Sequence, residues 1–103
     1  MASAALSHAS VVQRLRAREA EVRARGVAGL ALVGSVARGD CGPDSDVDVL
    51  IDIQPGRPFS LFDLSGVRLL VGDILGREAD VLIREDLPDH IRREVEDDAV
   101  AVF

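Results

Sequence analysis

The spacing of apolar residues along the chain predicts three helices. The first covers about residues 6–25, where apolar side chains recur at helical spacing among arginines and glutamates before Gly26. The second begins at Ser60 and ends near Gly76, and Pro88 is placed to start the third. The charged faces of these helices are interpreted as solvated surface.

Three short apolar runs lie between or beside the helical patterns and predict strands. They are "GLALVG" at 29–34, "DVDVLIDI" at 46–53 and "ADVLI" at 79–83. The apolar tail "AVAVF" at 99–103 is predicted either to form a strand or close the core, or to supply exposed anchors for a partner. The pattern therefore indicates an α/β (α+β) fold, a small mixed sheet of three to four strands flanked by helices.

Length and composition limit what such a fold can be. The 103 residues predict a single domain, 1–103, with the N-terminal helix at about 6–25 and the rest of the core at about 27–103. Its 48% hydrophobic and 29% charged residues are typical of a globular domain. No apolar run reaches the roughly 20 residues of a membrane span, and the N-terminus lacks a signal-peptide pattern. The sequence predicts a cytoplasmic protein without a membrane partner.

The charge argues against a nucleic-acid partner. The net charge is −6, all twelve basic residues are arginine, and no basic run could follow a phosphate backbone. The only cysteine, Cys41, lies in the predicted turn "DCGPD" and can form neither an internal disulfide nor a CxxC metal site.

Two aspartates interrupt the second predicted strand. Asp46 and Asp48 alternate with valines, so their side chains project from the same face, with Cα atoms roughly 6.6 Å apart. Two full charges at that distance repel by about 2.5 kcal/mol at an effective dielectric near 20. A divalent cation would reverse this repulsion, and Mg²⁺ prefers carboxylate oxygens and substrate phosphates. The alternative is a solvated strand edge, which is the interpretation for Asp52 at the end of the same run.

A phosphate-binding turn is predicted just before these acids. Gly34 and Ser35 stand where the first strand ends, a position at which backbone N–H groups and a hydroxyl can hold a phosphate. Arg38 could bind a phosphate with two hydrogen bonds, or be a plain surface arginine. The stretch is neither a Walker A motif nor G-x-G-x-x-G.

These motifs together resemble the polymerase-beta-like nucleotidyltransferases, in particular the minimal nucleotidyltransferase (MNT) domains encoded beside HEPN-domain partners. The resemblance rests on "GSVARGD" at 34–40, "SDVDVLI" at 45–51 and "EADVLI" at 78–83, and extends from about Val27 to the end. In this resemblance, the Gly-Ser pair of the family corresponds to Gly34 and Ser35. Its Asp-x-Asp pair corresponds to Asp46 and Asp48, and its third acid corresponds to Asp80.

The resemblance implies a chemistry. Asp46 and Asp48 would bind two Mg²⁺ ions, and Asp80 would bind the catalytic one and help to remove a proton from the acceptor. ATP would be the substrate, and Gly34, Ser35 and Arg38 would contact it. The implied acceptor is a hydroxyl, for example of tyrosine, on a partner HEPN toxin, so that the chain acts as the antitoxin.

Three alternatives remain beside this hypothesis. The chain could neutralise its partner by binding alone, or transfer a nucleotide to a nucleic acid or a small molecule. The spacing of Arg84 and His90 also matches the loose Arg-x(4-6)-His pattern of HEPN ribonucleases. Those domains are all-helical, however, whereas this chain has strand patterns, and Pro88 interrupts a shared helix.

Overall fold

The computed structural model describes residues 7–39 and 46–103. In these two segments, helices flank a four-stranded sheet. The helices are α1 (His8–Ala17), α2 (Glu19–Ala24), α3 (Gly34–Arg38), α4 (Leu61–Leu75) and α5 (Asp89–Asp97); the strands are β1 (Val27–Val33), β2 (Val47–Ile53), β3 (Ala79–Ile83) and β4 (Val100–Ala101). The predicted turn at 40–44, with Cys41, lies outside the described residues. No helix in these segments is long and apolar enough to cross a membrane.

The sheet is mixed, as the sequence predicts. Its strand order is β3-β2-β1-β4, and β1 is antiparallel to both of its neighbours. In contrast, β2 and β3 are parallel, and α4 connects them. This crossover places the starts of β2 and β3 at the same end of the sheet.

The predicted N-terminal helix is divided into two. The backbone leaves helical geometry at Arg18 (φ −117°, ψ 22°), which ends α1 and begins α2. Arginines occupy the last turn of α1 and glutamates the first turn of α2, the charges that each helix end favours. Arg18 also pairs with Glu21, with 2.6 Å between Nη2 and Oε2. The prediction of one continuous helix is therefore wrong at this position.

The two faces of the sheet have separate apolar clusters. Odd-numbered β2 residues, such as Val49 and Ile51, join side chains of α1 to α4 in the larger cluster. Leu50 points the other way and packs with Ala31, Val33 and residues around α5 in the smaller cluster. Because Asp48 has the same parity as Leu50, its side chain lies on the α5 face of the sheet.

The C-terminal tail closes the fold. Ala101 pairs with Ala31 in the antiparallel ladder between β4 and β1. Val102 is only 1% exposed, and the Arg23 guanidinium lies 4.7 Å from the centre of the Phe103 ring. The tail therefore forms a strand and part of the core, and the alternative of exposed apolar anchors is wrong for Val102.

Candidate active site

The register of the parallel strands brings two of the predicted acids together. Asp48 on β2 and Asp80 on β3 are direct Cα partners. Neighbouring strands are about 4.8 Å apart, and paired residues share a face, so both carboxylates project from the same patch of the sheet. The smaller apolar cluster under α5 begins at Leu50 and Leu82, which are the next residues on the same face of each strand. The acids therefore stand at the end of this face, beyond the packed residues.

Asp46 lies just outside the strand. The structure starts β2 at Val47, one residue later than predicted, and leaves Asp46 exposed. Its charge nevertheless acts on Asp48. The pKa of the Asp48 carboxyl is raised above its ordinary value, first by partial burial and then by the negative charges of Asp80 and Asp46. Asp48 thus experiences the negative charge of both other acids.

Asp48→Asn should make the ligand-free protein more stable at pH 7. A carboxyl whose pKa is raised in the folded state lowers the free energy of unfolding as the pH rises above the unfolded pKa, and this loss is complete once the pH exceeds the folded pKa. The gain from asparagine should therefore shrink as the pH falls through the raised pKa and vanish below the unfolded value of about 3.9. Each 1 kcal/mol corresponds to about 4–8 °C in Tm for a domain of this size, so thermal unfolding followed by circular dichroism can measure the gain. An Asn variant with a lower Tm than wild type at pH 7 would contradict the prediction.

Gly34 packs its backbone directly against Asp48. Val33, the last residue of β1, pairs with Asp48, and the chain then turns into α3 with Gly34 at φ +69°. A Cβ atom at Gly34 would lie 2.8 Å from Asp48 Oδ2, which is closer than such contacts allow. The glycine is therefore required both by the left-handed backbone and by the approach to the carboxylate. The half-buried Ser35 follows in the first turn of α3.

Arg38 and Asp52 have protein partners. Arg38 ends α3, is exposed, and its Nη1 lies 3.8 Å from Asp98 Oδ2. Asp52 accepts a 2.8 Å hydrogen bond from Nε of Arg84, which also pairs with Glu96. Asp52 is thus a member of an ion-pair cluster, and its interpretation as simple solvated surface is incomplete.

A cavity of about 410 Å³ opens beside the paired acids. It extends around the outer edge of β3 to α4. Its lining residues are Asp48, Leu64, Ser65, Arg68, Asp80, Val81 and Leu82. Ser65 and Arg68 are not among the residues that the sequence predicts for the site, and they approach it only because α4 crosses beside β3. An arginine within an apolar helix is the one local feature that could have drawn attention to them.

The donor set suits a hard divalent cation. Carboxylate oxygens are what Mg²⁺ prefers, and the missing side chain at Gly34 leaves space at Asp48 Oδ2. Within residues 7–39 and 46–103, however, no three His, Cys, Asp or Glu side chains already converge on one point. A cation bound by all three acids would therefore require their side chains to turn toward it.

Comparison with known proteins defines the class. Residues 13–102 match the family model described as "Nucleotidyltransferase domain". The chain therefore belongs to the nucleotidyltransferase domain family. Within it, the chain is an MNT-type domain, because a solved structure described as "Structure of putative minimal nucleotidyltransferase" is 27% identical, with a TM-score of 0.78 over 92% of this chain and 95% of that one.

Two further similarities are to a sequence relative and to a solved complex. The chain is 31% identical over 78 residues to "Putative protein adenylyltransferase MJ0435" of Methanocaldococcus jannaschii, covering 76% of this chain and 82% of the relative. A solved complex of a tri-AMPylated Shewanella oneidensis HEPN toxin with its MNT antitoxin has a TM-score of 0.63 at 10% identity, covering 89% of this chain and 71% of that one. At this low identity, the second similarity shows the shared fold alone.

Proposed function

We propose that this chain is a Mg²⁺-dependent adenylyltransferase that moves AMP from ATP to a side-chain hydroxyl of a HEPN toxin, and so acts as an antitoxin. The observation that carries the proposal is the Asp48–Asp80 pair, with Gly34 packed against Asp48, on the fold of a nucleotidyltransferase family. The protein-adenylyltransferase name of the relative and the AMPylated toxin in the similar complex support the acceptor class.

The proposed reaction is an in-line substitution at the α-phosphorus of ATP. The acceptor oxygen forms a bond to this phosphorus while the bond to the bridging oxygen of the β-phosphate breaks, and pyrophosphate leaves. Asp80, which is exposed at the start of β3, accepts the hydroxyl proton. Gly34 and Ser35 donate backbone N–H groups to the phosphates, and Arg38 turns from Asp98 toward them.

The three aspartates would hold the two metal ions. Asp46 and Asp48 would contact both ions and Asp80 one of them. Bound Mg²⁺ would neutralise the charge that develops on the attacking and leaving oxygens. The raised pKa of Asp48 fits this role, because a cation would relieve the unfavourable interactions among the three acids.

An isotope comparison tests the proposal. The chain is incubated with Mg²⁺, the HEPN protein encoded beside it, and ATP labelled at either the α- or the γ-phosphate. We expect label on the HEPN protein with α-labelled ATP alone, because AMP transfer keeps the α-phosphate and releases the γ-phosphate. The chain itself has no tyrosine, so any AMP-tyrosine found by mass spectrometry belongs to the acceptor. Labelling from γ-labelled ATP, or no labelling, would contradict AMP transfer.

A catalytically idle antitoxin is the second candidate. It is favoured by the absence of converged ligands among the described residues. AMP transfer depends on Asp46, Asp48 and Asp80, whereas neutralisation by binding alone does not. An Asp80→Asn chain that still protects cells from the HEPN toxin as well as wild type would establish neutralisation by binding alone.

A further inference from the structure

Helix α4 exposes large apolar side chains to solvent. In the segments that the structure describes, the three strongly exposed large hydrophobic residues all lie on this helix. They are Leu61 at 80%, Phe62 at 91% and Leu69 at 74% exposure. Phe62 and Leu69 are seven residues apart, which places them two turns apart on one side of the helix. Leu61, Phe62 and Leu69 are together called the α4 apolar face.

Packing against the core does not account for the apolar residues of this face. The opposite side of α4 supplies Val67, Val71 and Leu75 to the larger apolar cluster, where all three are buried. A helix that is apolar all round is usually buried on both sides, and a contiguous exposed apolar patch usually marks an interaction site. The outer residues of α5, by comparison, are charged, as a solvated helix requires.

A groove lies beside Leu69 of the α4 apolar face. The groove has a volume of about 830 Å³ and lies between α4 and the residues that lead into β3. Its lining residues are Ser65, Arg68, Leu69, Gly72, Asp73, Arg77, Glu78 and Ala79. Ser65 and Arg68 also line the cavity that contains Asp48 and Asp80. The two depressions are therefore adjacent, and Ser65 and Arg68 form part of the wall of each.

We propose that the α4 apolar face and its groove form the docking surface for the acceptor protein. This inference rests on the proposed function and extends it to the direction from which the acceptor arrives. Apolar side chains of the acceptor occupy the groove beside Leu69, and its hydroxyl-bearing residue passes Ser65 and Arg68 to reach Asp80. The adjacency of the two depressions supports this occupant, because a substrate protein must contact both a docking surface and the reacting groups.

A second copy of the chain is a less suitable occupant. Each copy has a net charge of −6, so two copies repel one another, whereas a more basic acceptor is attracted. The acceptor surface that fits is consequently apolar at its centre, positively charged overall, and close to an accessible hydroxyl.

Phe62→Ser and Leu69→Ser test the docking surface. Binding of the HEPN protein encoded beside the chain is measured by isothermal titration calorimetry without ATP. We expect each variant to raise the Kd at least about tenfold, and the double variant to raise it further. Because both side chains are exposed, the Tm should stay close to that of wild type. Glu94→Ser, at an exposed position on α5, is the matched control and should bind like wild type.

The outcomes separate this inference from the proposed function. If the variants lose binding but the wild-type chain transfers no AMP, the docking surface stands and the reaction falls. If wild type transfers AMP and both variants bind and react like it, the docking surface is wrong. Where transfer occurs, the KM for the acceptor should rise in the variants while kcat and ATP affinity stay unchanged. Failure of wild type to bind the HEPN protein would also overturn the inference, as would a dimer of the chain alone that Leu69→Ser dissociates.

Discussion

Asp48→Asn and Asp80→Asn should each lower the rate of AMP transfer at least about 100-fold, because the proposed mechanism uses Asp48 to hold the metal ions and Asp80 to accept the proton of the acceptor hydroxyl. The two residues are register partners at one end of the sheet, so neither can replace the other. The rate is measured with α-labelled ATP and saturating acceptor. The fold should remain intact, since asparagine has nearly the same shape as aspartate.

Asp97→Asn is the matched control for this loss. Asp97 is an exposed aspartate at the end of α5, on an element outside the proposed catalytic group. This control should retain wild-type transfer, while all the variants should still bind the HEPN protein in a pull-down. Wild-type rates in the Asp48 or Asp80 variants would remove these residues from the proposed mechanism.

Gly34→Ala should reduce both stability and AMP transfer, and the second effect should be the larger. The left-handed backbone at Gly34 makes alanine unfavourable by about 1–2 kcal/mol. In addition, the new Cβ would displace the Asp48 carboxylate, whose Oδ2 would be only 2.8 Å away. We therefore expect a loss of transfer of at least about 100-fold, similar to that of Asp48→Asn.

Gly76→Ala separates the effect of backbone strain from the effect of displacing the Asp48 carboxylate. Gly76 has φ +70°, nearly the same as Gly34 at +69°, but a Cβ there meets nothing within 4 Å. Both substitutions thus place a side chain at nearly the same positive φ, and only one disturbs the acids. Thermal unfolding should show a comparable loss for both, whereas transfer should fail in Gly34→Ala alone. Equal transfer rates in the two variants would show that contact with Asp48 is unimportant.

This contact also bears on the phosphate-binding turn that the sequence predicts at Gly34 and Ser35. A larger residue at position 34, such as valine, would affect the acids as well as any phosphate bound at the turn. The structure shows that such a side chain would meet Asp48 first. Gly34 in the sequence indicates that the backbone approaches another group closely. That group is Asp48 on β2, and only the pairing of β1 with β2 brings it near Gly34.

Local signals predicted the secondary structure well where they were strong. Ser60 and Asp63 form a capping box at the start of α4, and Gly76 ends it in the left-handed conformation, so both limits were readable from the sequence. The apolar run 79–83 coincides with β3. The break at Arg18 was missed because the apolar spacing continues through it, and only the charges on either side mark the two helix ends.

The site was predictable only in part. The alternation in β2 indicated correctly that Asp48 projects away from its valine neighbours, which are buried. The pairing of Asp48 with Asp80, by contrast, depends on strand register, for which the sequence alone has no marker apart from the family resemblance. The contributions of Ser65 and Arg68 to the cavity and the pairing of Asp52 with Arg84 arise from packing between distant segments.

The parallel pairing of β2 with β3 has a consequence for the order of events during folding. The antiparallel pairing of β1 with β2 already aligns Val33 with Asp48, and therefore the start of α3 with the first acid. Asp80 can join them only after α4 has folded back across the sheet, because parallel neighbours require a crossover. Contacts of this long sequence separation form slowly. A nascent chain that has not yet completed β3 would therefore lack Asp80 beside Asp48, and with it the residue proposed to receive the proton.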